Sequence, residues 1–175
     1  MSPQADAEWA RRIYRLRTVI TGSTLHLAGT ISFRAHYNGD LLIYHDKIPI
    51  IVRPETIIKD SWPIIFLHNY RGGSQVPRVF DASDRLYRTQ DRLKVSSQDM
   101  HLNATPPGSF CVAPRSELEQ TFANGFDLEK YFNQYLVPFL FQQSYFEKYG
   151  KWPWWNYPHG DFGEYLREIE EFLRA

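Results

Sequence analysis

An alternating apolar stretch that ends in a turn signal constrains the fold of this chain most strongly. Between Leu25 and Tyr37, apolar side chains recur at roughly every second position, the period of a strand with one buried face. Asn38-Gly39-Asp40 follows and is typical of a hairpin turn. Apolar runs at residues 41–45 and 48–52 supply the returning chain. The pattern therefore predicts antiparallel strands.

A helical pattern precedes these strands. Apolar residues recur there at intervals of three and four, which makes one apolar stripe and predicts a helix over residues 5–20. The residues of the stripe are Trp9, Ile13, Leu16 and Ile20. Four arginines cover the rest of the helix, either as a solvated face or as a docking face for an acidic partner. They are Arg11, Arg12, Arg15 and Arg17.

Two further apolar segments continue the sheet. Residues 62–67 predict a third strand, and residues 76–80 predict a short strand that closes the next loop. Pro49 and Pro63 are expected at edges, strand starts or bulges, because proline donates no ladder hydrogen bond. The polar residues 81–100 predict an exposed excursion that holds at most a short helical or strand turn.

The chain after residue 113 is helical and strongly aromatic in pattern. A helical segment begins at Pro114, and Asp127 and Asp161 are each expected to cap a later helix. Pro138 should kink or divide the helix that Asp127 caps. Three tryptophans in the loop before the last helix serve either as core packing or as an exposed clamp for a peptide tail. They are Trp152, Trp154 and Trp155.

Composition limits the functional classes. Twenty basic residues balance twenty acidic ones, so the chain has no overall field that would favour nucleic acid or an anionic membrane. One cysteine among 175 residues excludes a disulfide framework and a thiolate-rich structural metal site, and it favours a reducing cytoplasm. Neither a signal peptide nor an apolar run of the ~20 residues that cross a bilayer is recognisable. We therefore expect one α+β domain over residues 1–175, without nucleic-acid or membrane partners.

The single cysteine, Cys111, stands in a suggestive setting. Gly108-Ser109 leads into it, Asn103 lies eight positions before it, and His101 lies two before that. A thiolate is a strong nucleophile toward carbonyl carbon, and an asparagine amide can donate to the oxyanion that such an attack creates. A glycine lets the backbone bend sharply beside the thiol. Two simpler interpretations remain open: Cys111 as a small buried hydrophobe, and Asn103 as a residue that bonds its own turn.

These residues, in this order, resemble the motif of ubiquitin-conjugating enzymes. That family carries His-Pro-Asn and then Gly-Ser-hydrophobic-Cys at the same spacing, and here the sequence is His101-Leu102-Asn103 and Gly108-Ser109-Phe110-Cys111. Val76-Pro77-Arg78-Val79 resembles the strand that precedes the motif. The leucine in place of proline, the long approach after residue 80 and the aromatic part over 114–175 depart from the family. The long approach and the aromatic part resemble its bacterial relatives in antiphage operons.

The resemblance implies a ubiquitin-conjugating-enzyme-like fold: an N-terminal helix, an antiparallel four-stranded meander, the cysteine loop and C-terminal helices, with residues 1–113 as the family-like core. It implies that Cys111 accepts a protein C-terminus as a thioester and passes it to an amine, without metal or other cofactor. Asn103 would stabilise the oxyanion or hold the loop, and His101 would be mainly structural. The implied partner is the tail of a cGAS-like nucleotidyltransferase in a short CBASS operon, or a ubiquitin-like protein with a separate activating enzyme that docks on the basic N-terminal helix.

Other interpretations stay open. His159, between Pro158 and Gly160, is either an auxiliary base for an incoming amine or a loop histidine bonded to backbone. His101 or His159 could also serve a cysteine hydrolase, and a catalytically silent adaptor of the same fold is a further alternative. Four other histidines show no ligand spacing and receive no role. They are His26, His36, His45 and His68.

Overall fold

The computed structural model describes residues 2–37, 57–72 and 76–153 in full and the backbone of residues 41–44. The described helices are α1 (Pro3–Tyr14), α2 (Arg85–Leu93), α3 (Arg115–Thr121), α4 (Leu128–Tyr131) and α5 (Val137–Tyr149), with a π-helical turn, Phe132–Leu136, between α4 and α5. The described strands are β1 (Arg17–Thr21), β2 (Thr24–Tyr37), β3 (Leu41–Tyr44), β4 (Ile58–Asn69), β5 (Arg78–Asp81), β6 (Leu102–Ala104) and β7 (Pro107–Phe110). The α+β class is confirmed.

The strands form one antiparallel sheet in the order β1-β2-β4-β5-β7-β6, and β3 pairs with β2. Strands β1, β2, β4 and β5 lie side by side in the sheet in the order in which they follow along the chain, and only β3 is left out of this order. These four strands therefore form a meander. The prediction of four strands was wrong, because three more are described. β2 is long enough to pair with β1 over Thr24–Ala28 and with β3 over Arg34–Tyr37, and the cysteine loop contributes β6 and β7 itself.

The predicted first helix is shorter than expected. α1 ends at Tyr14, Arg15 adopts a left-handed conformation with φ 55°, and β1 begins at Arg17. The pattern misled because the spacing from Leu16 to Ile20 also fits a strand with period two, and β-branched residues favour that strand. Leu16 is buried in either geometry.

α1 itself is built as a capped, half-buried helix. The Ser2 side chain accepts a hydrogen bond from the Ala5 amide at its N-terminus. Ala7 and Ala10 are fully buried, so that α1 packs closely on β1 and β2. Its arginines Arg11 and Arg12 are exposed.

The polar excursion after residue 80 holds a nine-residue helix, α2, which is anchored to the sheet. Its Leu86 is buried. Arg85 donates to both carboxylate oxygens of Asp60, at 3.0 and 2.6 Å, and its Nε donates to Glu147 at 2.7 Å. The guanidinium also lies 4.1 Å from the ring centroid of Trp62. The excursion is therefore more ordered and less exposed than its composition indicates, because one arginine joins it to β4 and α5.

Two predictions about the C-terminal part are confirmed. The Asp127 carboxylate accepts a hydrogen bond from the Lys130 amide at 2.9 Å and so caps α4. Pro138 lies at the start of α5, directly after the π-helical turn that separates α4 from α5, so the helix is divided there. The expectation that Pro63 lies at an edge, a strand start or a bulge was wrong: it lies inside β4, where it pairs with Thr30. Its carbonyl accepts from the Ala82 amide just past β5, so its missing N–H faces the flank on which β5 pairs only with Ile64–Leu67. It thus lies where one flank of β4 loses its partner strand.

Several expectations fall on residues outside the described ranges. They are the turn at 38–40, the run at 48–52 with Pro49, the tryptophans Trp154 and Trp155, the helix capped by Asp161, and His159. None of the helices that the structure describes combines the length and apolar character needed to cross a bilayer.

A buried polar cluster joins α1 to the end of β4. Tyr70 donates a hydrogen bond to the buried Asp6 carboxylate, and burial raises the pKa of Asp6. His68 is 2% exposed, and its ring centroid lies 3.8 Å from that of Phe126. Neither of its ring nitrogens has a hydrogen-bond partner among the described residues. His68 is therefore a neutral core residue, consistent with the absence of any ligand spacing around it.

The pH dependence of unfolding tests this burial. Burial lowers the pKa of His68 to about 4, whereas an unfolded histidine titrates near ~6.5. Between these values the unfolded chain binds a proton that the native state does not, so the free energy of unfolding should fall by about 3 kcal/mol as the pH drops from about 7 to about 4. In urea titrations His68→Phe should lose this component. His26→Gln, on the half-exposed sheet face, should keep it, and equal slopes for wild type and His68→Phe would contradict the assignment.

Candidate active site

The cysteine loop is a small hairpin at the edge of the sheet. β6 and β7 pair at Leu102–Phe110 and at Ala104–Pro107, and the Thr105-Pro106 peptide bond between them is cis. Directly after β7, the Cys111 amide donates to the His101 carbonyl at 2.8 Å. The hydrogen bond continues the hairpin by one step, so the two ends of the motif lie side by side.

Asn103 holds this hairpin through its side chain. Its Nδ2 donates to the Phe110 carbonyl at 3.0 Å and to Ser109 Oγ at 3.2 Å. Ser109 Oγ in turn donates to the Pro106 carbonyl at 2.9 Å. Of the two roles considered for Asn103, the geometry matches the one that fixes the loop. An oxyanion contact would require one amide hydrogen to leave these acceptors.

His101 occupies a left-handed conformation with φ 54° at the start of the hairpin. Its ring meets the ring of Trp152 edge to face, with centroids 5.4 Å apart. Trp152 stacks on Phe146 at 4.0 Å and is partly buried. His101 thus contributes its carbonyl to Cys111 and its ring to a packed aromatic contact, and Trp152 belongs to the core rather than to an exposed clamp.

The Cys111 thiol is half-buried, and burial raises its pKa. Its Sγ lies 4.0 Å from the Ala113 carbonyl, the only hydrogen-bond partner of the sulfur among the described residues. Tyr131 is fully packed beside it, and burial together with the nearby Cys111 raises the Tyr131 pKa. At neutral pH the thiol is thus mainly protonated, unlike a thiolate held by an imidazolium.

The thiol opens into a cavity of about 280 Å³. Its walls come from the approach to β5, from the hairpin and from the start of the helical part. The lining residues are Val76, Pro77, Arg78, Asn103, Thr105, Pro106, Ser109, Phe110, Cys111, Val112, Ala113, Arg115, Leu118 and Tyr131. Asn103 and Cys111 therefore line the same cavity. Sequence reasoning assigned no role to Arg78 or Tyr131 in it, because their proximity depends on strand register and helix packing.

A larger cavity of about 570 Å³ lies elsewhere, beside the ion pairs of Arg85. Its charged lining is largely paired, since Arg85 contacts both Asp60 and Glu147. The described residues contain no cluster of His, Cys, Asp and Glu that could hold a metal ion. Of these two cavities, the one of 280 Å³ holds the cysteine thiol together with polar neighbours.

Comparison with family models, curated proteins and solved structures gave no match for this chain. The function therefore has to be argued from the geometry of the site and from the motif.

Gly108 tests how tightly the hairpin is built. It has φ +75°, and a Cβ there would clash with the Tyr87 hydroxyl of α2. Gly108→Ala should destabilise the fold by about 2 kcal/mol, from left-handed strain and from displacement of the tyrosine. In urea denaturation, Tyr87→Ala should recover part of this loss when combined with Gly108→Ala. Gly150→Ala, at φ +67° where a Cβ meets nothing within 4 Å, isolates the backbone part. Strict additivity of the Gly108 and Tyr87 changes would contradict the contact.

Alkylation kinetics test the state of the thiol. Because burial raises the pKa of Cys111, less thiolate is present at neutral pH than in a free cysteine. Iodoacetamide should modify Cys111 more slowly than N-acetylcysteine at pH 7, and the rate should still rise with pH where the small thiol has levelled off. Intact-mass measurements follow the reaction. A faster reaction than the free thiol at pH 7 would contradict the raised pKa.

Proposed function

We propose that the chain is a ubiquitin-conjugating-like acyltransferase, in which Cys111 forms a thioester with the C-terminus of a partner protein and passes it to an amine. The observation that carries the proposal is the position of the Cys111 thiol. It lines one cavity with Asn103, at the end of a hairpin that Asn103 fixes. The order of elements, α1, then a meander containing β1, β2, β4 and β5, then the loop, supports the resemblance that the motif indicates.

The chemistry of the thiol favours a carrier over a hydrolase. A cysteine hydrolase lowers the pKa of its thiol with a nearby histidine, whereas burial raises the pKa of Cys111. A thiol of high pKa gives a strong nucleophile once deprotonated and a slow leaving group in the thioester. The acyl group is then retained until a suitable amine attacks it. The His101 ring packs against Trp152, an arrangement that suits a structural histidine better than one that activates the thiol.

The step needs no redox change. The Cys111 thiolate attacks the carbonyl carbon of the activated partner terminus, a new C–S bond forms, and the donor's leaving group departs and takes up a proton. A lysine amine then attacks the Cys111 thioester, forms an amide and releases the thiol. Asn103 is within the same cavity and could turn one amide hydrogen from Ser109 to the oxyanion, at the cost of one loop hydrogen bond.

The partner we propose is the tail of a cGAS-like nucleotidyltransferase, in a cytoplasmic antiphage system of the CBASS type. The alternative is a ubiquitin-like protein delivered by a separate activating enzyme. Four exposed arginines of the N-terminal region are complementary in charge to an acidic docking surface on such an activating enzyme. They are Arg11, Arg12, Arg15 and Arg17. The gene neighbourhood distinguishes the two.

Trapping on Cys111 tests the proposal. With an activated partner tail, the wild type should give an adduct on a non-reducing gel that disappears with thiol reductant. Cys111→Ser should give an oxygen ester that resists the reductant, and Cys111→Ala should give nothing. Ser109→Ala, which keeps the thiol, controls for changes in the loop. An adduct of unchanged yield in Cys111→Ala would overturn the assignment.

A further inference from the structure

Arg78 is placed beside Cys111 by the register of the sheet. Phe80 of β5 pairs with Ser109 of β7. Continued by two residues along both antiparallel segments, this register would set Arg78 opposite Cys111, with both side chains on one face because the period is two. Both residues also line the 280 Å³ cavity. The arginine therefore lies at the wall of the cavity into which the thiol opens.

The charge in this cavity is one-sided. Besides Cys111 and Tyr131, its ionisable lining residues are Arg78 and Arg115, and no carboxylate of a described residue lines it. Arg115 Nε donates to Glu119 at 2.7 Å, so its charge is partly committed. Arg78 is exposed, and its side chain makes no hydrogen bond or ion pair with any described residue. One guanidinium is thus left for a ligand in the cavity.

That guanidinium does not activate the thiol. A cation close to a cysteine lowers its pKa, whereas the pKa of Cys111 is raised by burial. The arginine side chain spans roughly the length of two residues of extended chain. Its charged end can therefore reach a side chain that neighbours the reacting residue of an extended tail.

We propose that Arg78 selects the acyl donor by binding a carboxylate side chain one or two residues before the carbonyl that reacts with Cys111. The planar guanidinium fork matches a carboxylate with two parallel hydrogen bonds, which gives direction as well as charge. The inference rests on the proposed thioester function and adds the chemical class of the donor, an acidic C-terminal tail. Arg78 is in this account a specificity residue, and Cys111 remains the catalytic nucleophile.

The step that reports this selection is transthioesterification. The Cys111 thiolate attacks the thioester carbonyl of a peptide donor, the new C–S bond forms as the donor C–S bond breaks, and the small thiol leaves and takes up a proton. No oxidant or second substrate is required. Intact-mass measurements give the initial rate of adduct formation on the full chain. This rate therefore reports directly how well each donor is recognised.

The probes are three short peptide thioesters ending in glycine, with Glu, Gln or Lys as the residue before it, all at low salt. The wild type should react with the Glu donor about fivefold faster than with the Gln donor, and more slowly still with the Lys donor. Arg78→Ala should lose the preference for Glu over Gln, and Arg78→Glu should favour the Lys donor. Arg12→Glu on α1 makes the same change in net charge away from the cavity and should keep the wild-type order.

The outcomes separate the two proposals. Equal rates for all three donors in the wild type, or an unchanged Glu preference in Arg78→Ala, would overturn the role of Arg78 and leave the thioester function standing. No adduct with any donor would overturn both. A Glu preference lost in Arg78→Ala but kept in Arg12→Glu supports the selection of an acidic tail.

Discussion

Twelve residue pairs, from Thr24–Asn69 to Ala35–Ile58, join β2 to β4, and the site is built outward from this ladder. On its inner face Trp62, Ile64 and Phe66 are fully buried under the helices. On its far side β4 pairs with β5, β5 with β7, and β7 leads into Cys111. A backbone ladder of this length fixes register strongly, because a slip by one residue would turn every buried side chain to solvent. The position of the thiol follows from that register.

Hydrogen bonds within the cysteine hairpin fix the loop that carries Cys111. The side chains of Asn103 and Ser109 and the Cys111 amide all donate hydrogen bonds to carbonyl or hydroxyl groups of the same loop. The loop is thereby fixed without charged groups, and the thiol stays in a partly apolar environment that raises its pKa. Such a site suits a thiol that holds an acyl group better than one that attacks water-exposed substrates rapidly. The positive charge in the cavity comes from Arg78 and Arg115, which line its wall.

Much of the fold could be predicted from local signals, since the alternation over 25–37, the cap at Asp127 and the break at Pro138 each act within a few residues. The end of α1 could not, because Leu16 and Ile20 satisfy a helical and a strand period alike, and pairing with β2 decides between them. α2 was underestimated because its order depends on Arg85 reaching Asp60 and Glu147, far away in the chain. At the site, the motif led us to expect the Asn103 amide close to Cys111. It could not predict where the Asn103 amide points, or that the pairing of Phe80 with Ser109 brings in Arg78.

The central claim is that Cys111 carries an acyl group. It is tested most directly by isolating the protein from its native cells under non-reducing, mildly acidic conditions and analysing the peptide that contains Cys111 by mass spectrometry. The account predicts a fraction of this peptide bearing the C-terminal remnant of a partner protein, which neutral hydroxylamine removes to leave a free thiol. A Cys111 peptide found only as free thiol, while the same cells contain the conjugated products, would contradict it.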